Sequence, residues 1–117
     1  MLVFAHRGAS GHAPENTLKA IELAIDMQCD GIEIDVHAVD EQVLVIHDRW
    51  LDTTTNGNGV LHEHTFEHIR SLDAGQGEQV PTLREVLALV KGQCRVNIEV
   101  KSGSAERLVL AEIDHAV

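Results

Sequence analysis

The chain has 117 residues, 44% of them hydrophobic, enough for one domain with a packed core and not the make-up of a disordered chain. It carries 19 acidic residues against 9 basic ones, a formal net charge of -10. A surface this acidic argues against nonspecific binding to nucleic acid or an anionic membrane, although a metal ion can invert the charge of one pocket.

The first residues carry no basic stretch and no apolar run of leader length, so residues 1–117 read as a single cytoplasmic domain. No window approaches the roughly 18 apolar residues of a membrane span, and no stable membrane insertion is expected. Leu2 to Ala5 reads as a buried strand and Gly8 to Pro14 as a loop. Thr17 to Gln28 is a predicted helix with Leu18, Ile21, Ala24 and Ile25 on one face and Asn16 as N-cap. Gly31 to Val39 and Val43 to His47 are predicted strands. The three residues between them are too few for a helical crossover, so the two strands form an antiparallel hairpin. Arg49 to Val60 is a polar loop, and Thr65 to Leu72 a short helix. Thr82 to Val90 carries a T-x-x-E capping box through Thr82 and Glu85, and Gly92 closes it. Arg95 to Lys101 is a strand, and a final helix runs from Ser104 to Val117. Cys29 and Cys94 lie in no C-x-x-C pair and are expected to be buried free thiols. The order β-α-β-β-α-α-β-α predicts an α/β protein with a mainly parallel sheet.

Two strands set charge against burial. Side chains alternate along a strand, so Ile32, Ile34 and Val36 share one face while Glu33, Asp35 and His37 share the other. The later strand repeats this with Val96, Ile98 and Val100 against Asn97, Glu99 and Lys101. An antiparallel sheet with one solvated face would explain the pattern. Helical crossovers, however, put both faces of a parallel sheet out of water. The polar faces then bring Glu33, Asp35 and Glu99 together inside the fold, where mutual repulsion calls for a proton or a cation. Oxygen donors alone suit one divalent cation, Mg²⁺ or Ca²⁺. His6, at the end of the first strand, is a candidate acid/base, and Arg7 a candidate phosphate clamp. A hairpin turn centred near Glu41 would place His47 opposite Asp35. His12, His62, His64, His68 and His115 read as surface residues, and Trp50 as a packing residue.

In order, His6-Arg7-Gly8, Pro14-Glu15-Asn16-Thr17, Glu33-Ile34-Asp35-Val36 and Val45-Ile46-His47-Asp48 resemble the glycerophosphodiester phosphodiesterase family. The series continues with Leu51-Asp52, Thr54-Thr55, Gly57, Gly59, Pro81-Thr82-Leu83 and Asn97-Ile98-Glu99-Val100-Lys101. The chain departs from the family's pattern at Thr53, where arginine is usual. The resemblance implies a (β/α)8 TIM barrel and a glycerophosphodiester as small-molecule substrate. It also implies His6 and His47 as general acid and base, a cation on Glu33, Asp35 and Glu99, and Arg7 and Lys101 on the phosphate. A barrel of this kind needs at least ~200 residues, so 117 residues are expected to form its N-terminal portion. An incomplete barrel leaves two strand edges open, at Leu2–Ala5 and at Arg95–Lys101, which invites self-association into a homo-oligomer. The rival reading is a catalytically incompetent fragment, and a third is another metal-dependent barrel hydrolase.

Overall fold

The computed structural model describes residues 2–102 and 105–116; the expected helix ends Ser104 and Val117 lie outside the described residues. The elements are β1 (Phe4–His6), α1 (Leu18–Asp26), β2 (Gly31–Val39), β3 (Gln42–Val45), α2 (Phe66–Arg70), α3 (Leu83–Val90), β4 (Arg95–Val100) and α4 (Ala105–Ala116). Element types and order match the sequence reading, and most ends shift by one or two residues.

Three local expectations are corrected. The N-cap of α1 is Thr17, whose hydroxyl accepts the Ala20 N–H at 3.2 Å. Asn16 sits one residue earlier with φ +56°, a left-handed conformation that Asn tolerates better than most residues, and its side chain is spent elsewhere. The hairpin turn is the pair Asp40-Glu41, both at positive φ, which pairs Val36 with Val45 and Val39 with Gln42. Asp35 therefore lies opposite Ile46, whose N–H donates to the Asp35 carbonyl at 3.0 Å, and not opposite His47. Helix α3 does carry the capping box, but it ends on Lys91 at φ +46°, with Gly92 following at φ +79°.

Strand β2 organises the sheet. It runs parallel to β1, with Phe4 beside Gly31 and His6 beside Glu33. It also runs parallel to β4, from Gly31 beside Arg95 to Val36 beside Val100. Val36 pairs with both Val45 and Val100, so β3 and β4 flank β2 on opposite sides, and β1 and β3 follow one another along the same edge. The far edge of β3 is occupied: the Val45 N–H donates to the Pro81 carbonyl at 2.8 Å.

Ile32, Ile34 and Val36 of β2 are fully buried beneath Ile21 and Ala24 of α1, Leu83, Val86 and Val90 of α3, and Val109 of α4. Each such aliphatic side chain contributes about 1.5–3 kcal/mol on burial. A second, smaller core forms where Leu51, from the segment read as a polar loop, joins Leu61, Ile69 and Val80 over Leu44 of β3 and Ile46 just beyond it. Trp50 does not join it and stays 51% exposed, against its reading as a packing residue. Cys29 and Cys94 are free, as expected, but half-buried and not buried.

The four strands of the described residues form a sheet and do not close. The outer edges of β1 and β4 pair with no described strand, and Leu2, Val3, Phe4 and Val100 nearby are exposed. No helix of the described residues is long and apolar enough to cross a membrane.

Candidate metal and active site

The parallel register assembles the site. Asp35 and Glu99 are direct partners across β2 and β4, Glu33 lies two residues earlier on the same face of β2, and His6 is the β1 partner of Glu33. Ligand oxygens of Glu33, Asp35 and Glu99 lie within 4.8 Å of one another. The expected carboxylate trio is therefore one cluster on one side of the sheet. Both Glu33 carboxylate oxygens and Asp35 Oδ1 are buried without a hydrogen-bond partner among the described residues. Oxygens left so are costly unless something positive is supplied. That, together with an all-oxygen donor set, fits a hard divalent cation such as Mg²⁺ or Ca²⁺.

Fixed cations balance only part of the charge. Arg7 Nε lies 3.0 Å from Asp35 Oδ2, and Lys101 Nζ lies 2.9 Å from Glu99 and 3.9 Å from Asp35 Oδ1. Three carboxylates face two cations, which leaves one surplus negative charge. Burial, and then the Asp35 charge, push the Glu33 carboxyl up to about 7. Burial also works against Asp35, but the Asn16 amide, the neighbouring Glu33 carboxyl and the Arg7 charge outweigh it and hold that carboxyl below its usual range. The cluster keeps its spare proton on Glu33.

Arg7 is less free than a clamp would be. Its Nη1 also binds both oxygens of Glu15 at 3.3 Å, and neither contact uses Nη2. His6 Nε2 stands 3.5 Å from Glu33 Oε1 on the open side of the sheet. The chain leaves β3 at Ile46, and this turn carries His47 into a cavity of about 400 Å³ shared with His37, Arg49, His62, Lys101 and Ser102. Lys101 is thus the link between the carboxylate cluster and the His47 cavity.

Sequence reasoning missed three participants. Asn16 is buried; its amide N–H donates to Asp35 Oδ2 at 3.1 Å and its carbonyl accepts the Asp35 N–H at 3.4 Å. It belongs to the Pro14–Thr17 motif, where the sequence suggests only a cap. Alternation puts His37 on the acidic face of β2 but signals no role for it. It is 5% exposed, and burial lowers its pKa toward the neutral imidazole. His62 is exposed, as read, yet it borders the cavity with its ring centroid 5.4 Å from that of His37. No local pattern signals His62, because only the 3-10 turn at Leu61–Glu63 brings it there.

The model of the glycerophosphoryl diester phosphodiesterase family matches residues 6–115. A glycerophosphodiester phosphodiesterase of Caldanaerobacter subterraneus is 47% identical over 111 residues, covering 87% of this chain and 46% of that protein. The crystal structure of glycerophosphodiester phosphodiesterase from Agrobacterium tumefaciens superimposes with a TM-score of 0.89 at 38% identity, over 99% of this chain and 54% of that one. An Oleispira antarctica phosphodiesterase, solved with the product sn-glycerol-3-phosphate, gives a TM-score of 0.85 at 33% identity, over 99% of this chain and 51% of its own. The chain spans about half the length of these relatives. On the sequence match and the shared structure together, the chain belongs to the glycerophosphoryl diester phosphodiesterase family.

Proposed function

We propose that this chain carries the catalytic face of a metal-dependent enzyme that hydrolyses glycerophosphodiesters to glycerol 3-phosphate and an alcohol. The observation that carries the reading is the orphaned carboxylate cluster with two histidines and Lys101 around it. Glu33, Asp35 and Glu99 would hold one divalent cation, Mg²⁺ or Ca²⁺, which when bound supplies positive charge to the nonbridging phosphate oxygens. Arg7, through Nη2, and Lys101 add charge on the same oxygens, where the transition state gathers it.

The proton steps fall to the histidines. One takes the proton from the attacking hydroxyl, and the other gives a proton to the departing alkoxide, so that each ring is restored over a full cycle. A substrate hydroxyl next to the phosphate is the first nucleophile, giving a cyclic phosphate that water opens with the roles reversed. His6 stands beside Glu33, and His47 shares its cavity with Lys101, so the two groups approach a phosphodiester from different elements. Closure of the sheet into a (β/α)8 barrel belongs to this reading, since parallel strands alternate with helices and two sheet edges stay unpaired.

The test is hydrolysis of glycerophosphocholine with Mg²⁺ or Ca²⁺ added, by the parent and by His6→Ala and His47→Ala. Each substitution should lower kcat by about 10²–10⁴ with the fold intact by circular dichroism. Parental turnover in either variant would remove that histidine from the acid/base pair.

A further inference from the structure

His37 makes two hydrogen bonds that the catalytic reading leaves unused. Its Nε2 lies 3.0 Å from the main-chain carbonyl of His47, and its Nδ1 lies 3.0 Å from Ser102 Oγ. A carbonyl oxygen only accepts, so Nε2 carries the proton when the first bond is made. In the neutral ring Nδ1 is then a lone pair, and the Ser102 hydroxyl donates to it. Ser102 Oγ in turn accepts the Ala38 N–H at 3.4 Å. The result is a one-way chain of donors: Ala38 N–H to Ser102, Ser102 O–H to His37, and His37 N–H to the His47 carbonyl.

This chain ties together three segments that secondary structure alone does not. His37 is in the middle of the sheet on β2, Ser102 follows the end of β4, and His47 has already left β3. Ile46 still has a ladder bond to Asp35 through its N–H, but the His47 carbonyl has His37 as its partner. Ser102, His37 and His47 all border the cavity that Lys101 also lines.

We propose that His37 is a positioning residue, whose Nε2–H tautomer clamps the His47 main chain to the end of β4 and so keeps His47 in the cavity it shares with Lys101. The proposal rests on the reading of His47 as one of the acid/base pair. A bland alternative is a core histidine kept for its volume. The two differ in what a substitution must preserve. Glutamine can donate an amide N–H to the His47 carbonyl and accept the Ser102 hydroxyl through its oxygen, whereas leucine fills space and does neither.

The test compares the parent full chain with His37→Gln and His37→Leu. Long-range ¹H–¹⁵N spectra of the histidine-labelled parent should show His37 protonated at Nε2 and not at Nδ1; the opposite tautomer overturns the clamp. On glycerophosphocholine, His37→Gln should stay within about threefold of the parental kcat, while His37→Leu should fall roughly 10- to 100-fold with KM changed much less. Amide exchange at Ile46 and Trp50, both hydrogen-bonded in the parent, should accelerate in His37→Leu only. Equal effects of glutamine and leucine, or no effect of either, would overturn the proposal. A parent that turns over no substrate would count for the incompetent fragment and against the proposed function of this chain, whereas the tautomer and the exchange rates would still decide the clamp.

Discussion

Titrating the chain with Mg²⁺ or Ca²⁺ at several pH values probes the charge balance of the carboxylate cluster. Glu33 is pushed up to about 7 by burial and by Asp35, so the ion-free cluster holds a proton in mildly acid solution. A cation needs the carboxylate, and that proton must leave when the ion binds. With the Glu33 carboxyl at about 7, about 0.9 of a proton sits there at pH 6 and about 0.1 at pH 8. Binding should therefore release nearly one proton at pH 6 and almost none at pH 8, and affinity should rise about tenfold between them. The same group has a sign for stability. Its folded pKa lies above its unfolded value of 4.5, so the fold binds the extra proton and loses stability as pH rises from about 4.5 toward 7. Saturating cation should remove that loss. Calorimetry in two buffers of different protonation enthalpy counts the released protons. A Kd that does not change from pH 6 to pH 8, or proton-free binding at pH 6, would refute the reasoning.

Further predictions concern regions away from the carboxylate cluster. Arg70 of α2 donates to the Val80 carbonyl at 2.7 Å and holds both oxygens of Glu85 in α3 at 2.7 and 2.9 Å, so Arg70→Ala should cost about 1–3 kcal/mol in chemical denaturation and leave cation affinity unchanged. Burial disfavours the Glu85 charge, but Arg70 wins and lowers that pKa; the bridge should hold above the usual carboxylate range and be lost as pH falls through the lowered value. The unpaired edges of β1 and β4, with Leu2, Val3, Phe4 and Val100 exposed, should make the isolated 117-residue chain self-associate; sedimentation showing a cooperatively melting monomer at micromolar concentration would contradict this.

The strand order and the convergence of Glu33, Asp35 and Glu99 were legible because alternation along a strand is a strict rule. Glu33 and Asp35 had to share a face, Ile32 and Ile34 had to take the other, and the helices packed on one face of β2 made that face the apolar one. What failed were positions set by a single residue of offset. The turn at Asp40-Glu41 moved the partner of Asp35 from His47 to Ile46, and nothing in the intervening sequence chose between these registers. Asn16 reads equally well as a cap or as a side-chain partner; its left-handed backbone, visible only in the fold, turns the amide toward Asp35. Contacts across long sequence separations were invisible for a simpler reason. His37 and Ser102 are 65 residues apart, and no periodic pattern links them.

Register is therefore the variable on which the chemistry depends. In a strand a slip of one residue sends every side chain to the opposite face. A slip of β4 against β2 would turn Glu99 and Lys101 toward the helices and Ile98 and Val100 toward the cluster, leaving Glu33 and Asp35 without a third ligand. Two bonds outside the ladder ends guard against this. The Arg95 N–H donates to the Asp30 carbonyl at 3.1 Å where the pairing begins, and the Lys101 N–H donates to the Val36 carbonyl at 2.9 Å where it ends. The apolar partners add the larger force, because Val96 and Ile98 pack against the aliphatic core, and exchanging them for Glu99 would set a charge against aliphatic side chains. The carboxylate cluster is thus strained electrostatically but specified hydrophobically. The same aliphatic residues that stabilise the sheet force three acids to converge on its other side, and on the proposed function a cation bound among them would supply positive charge to a phosphodiester.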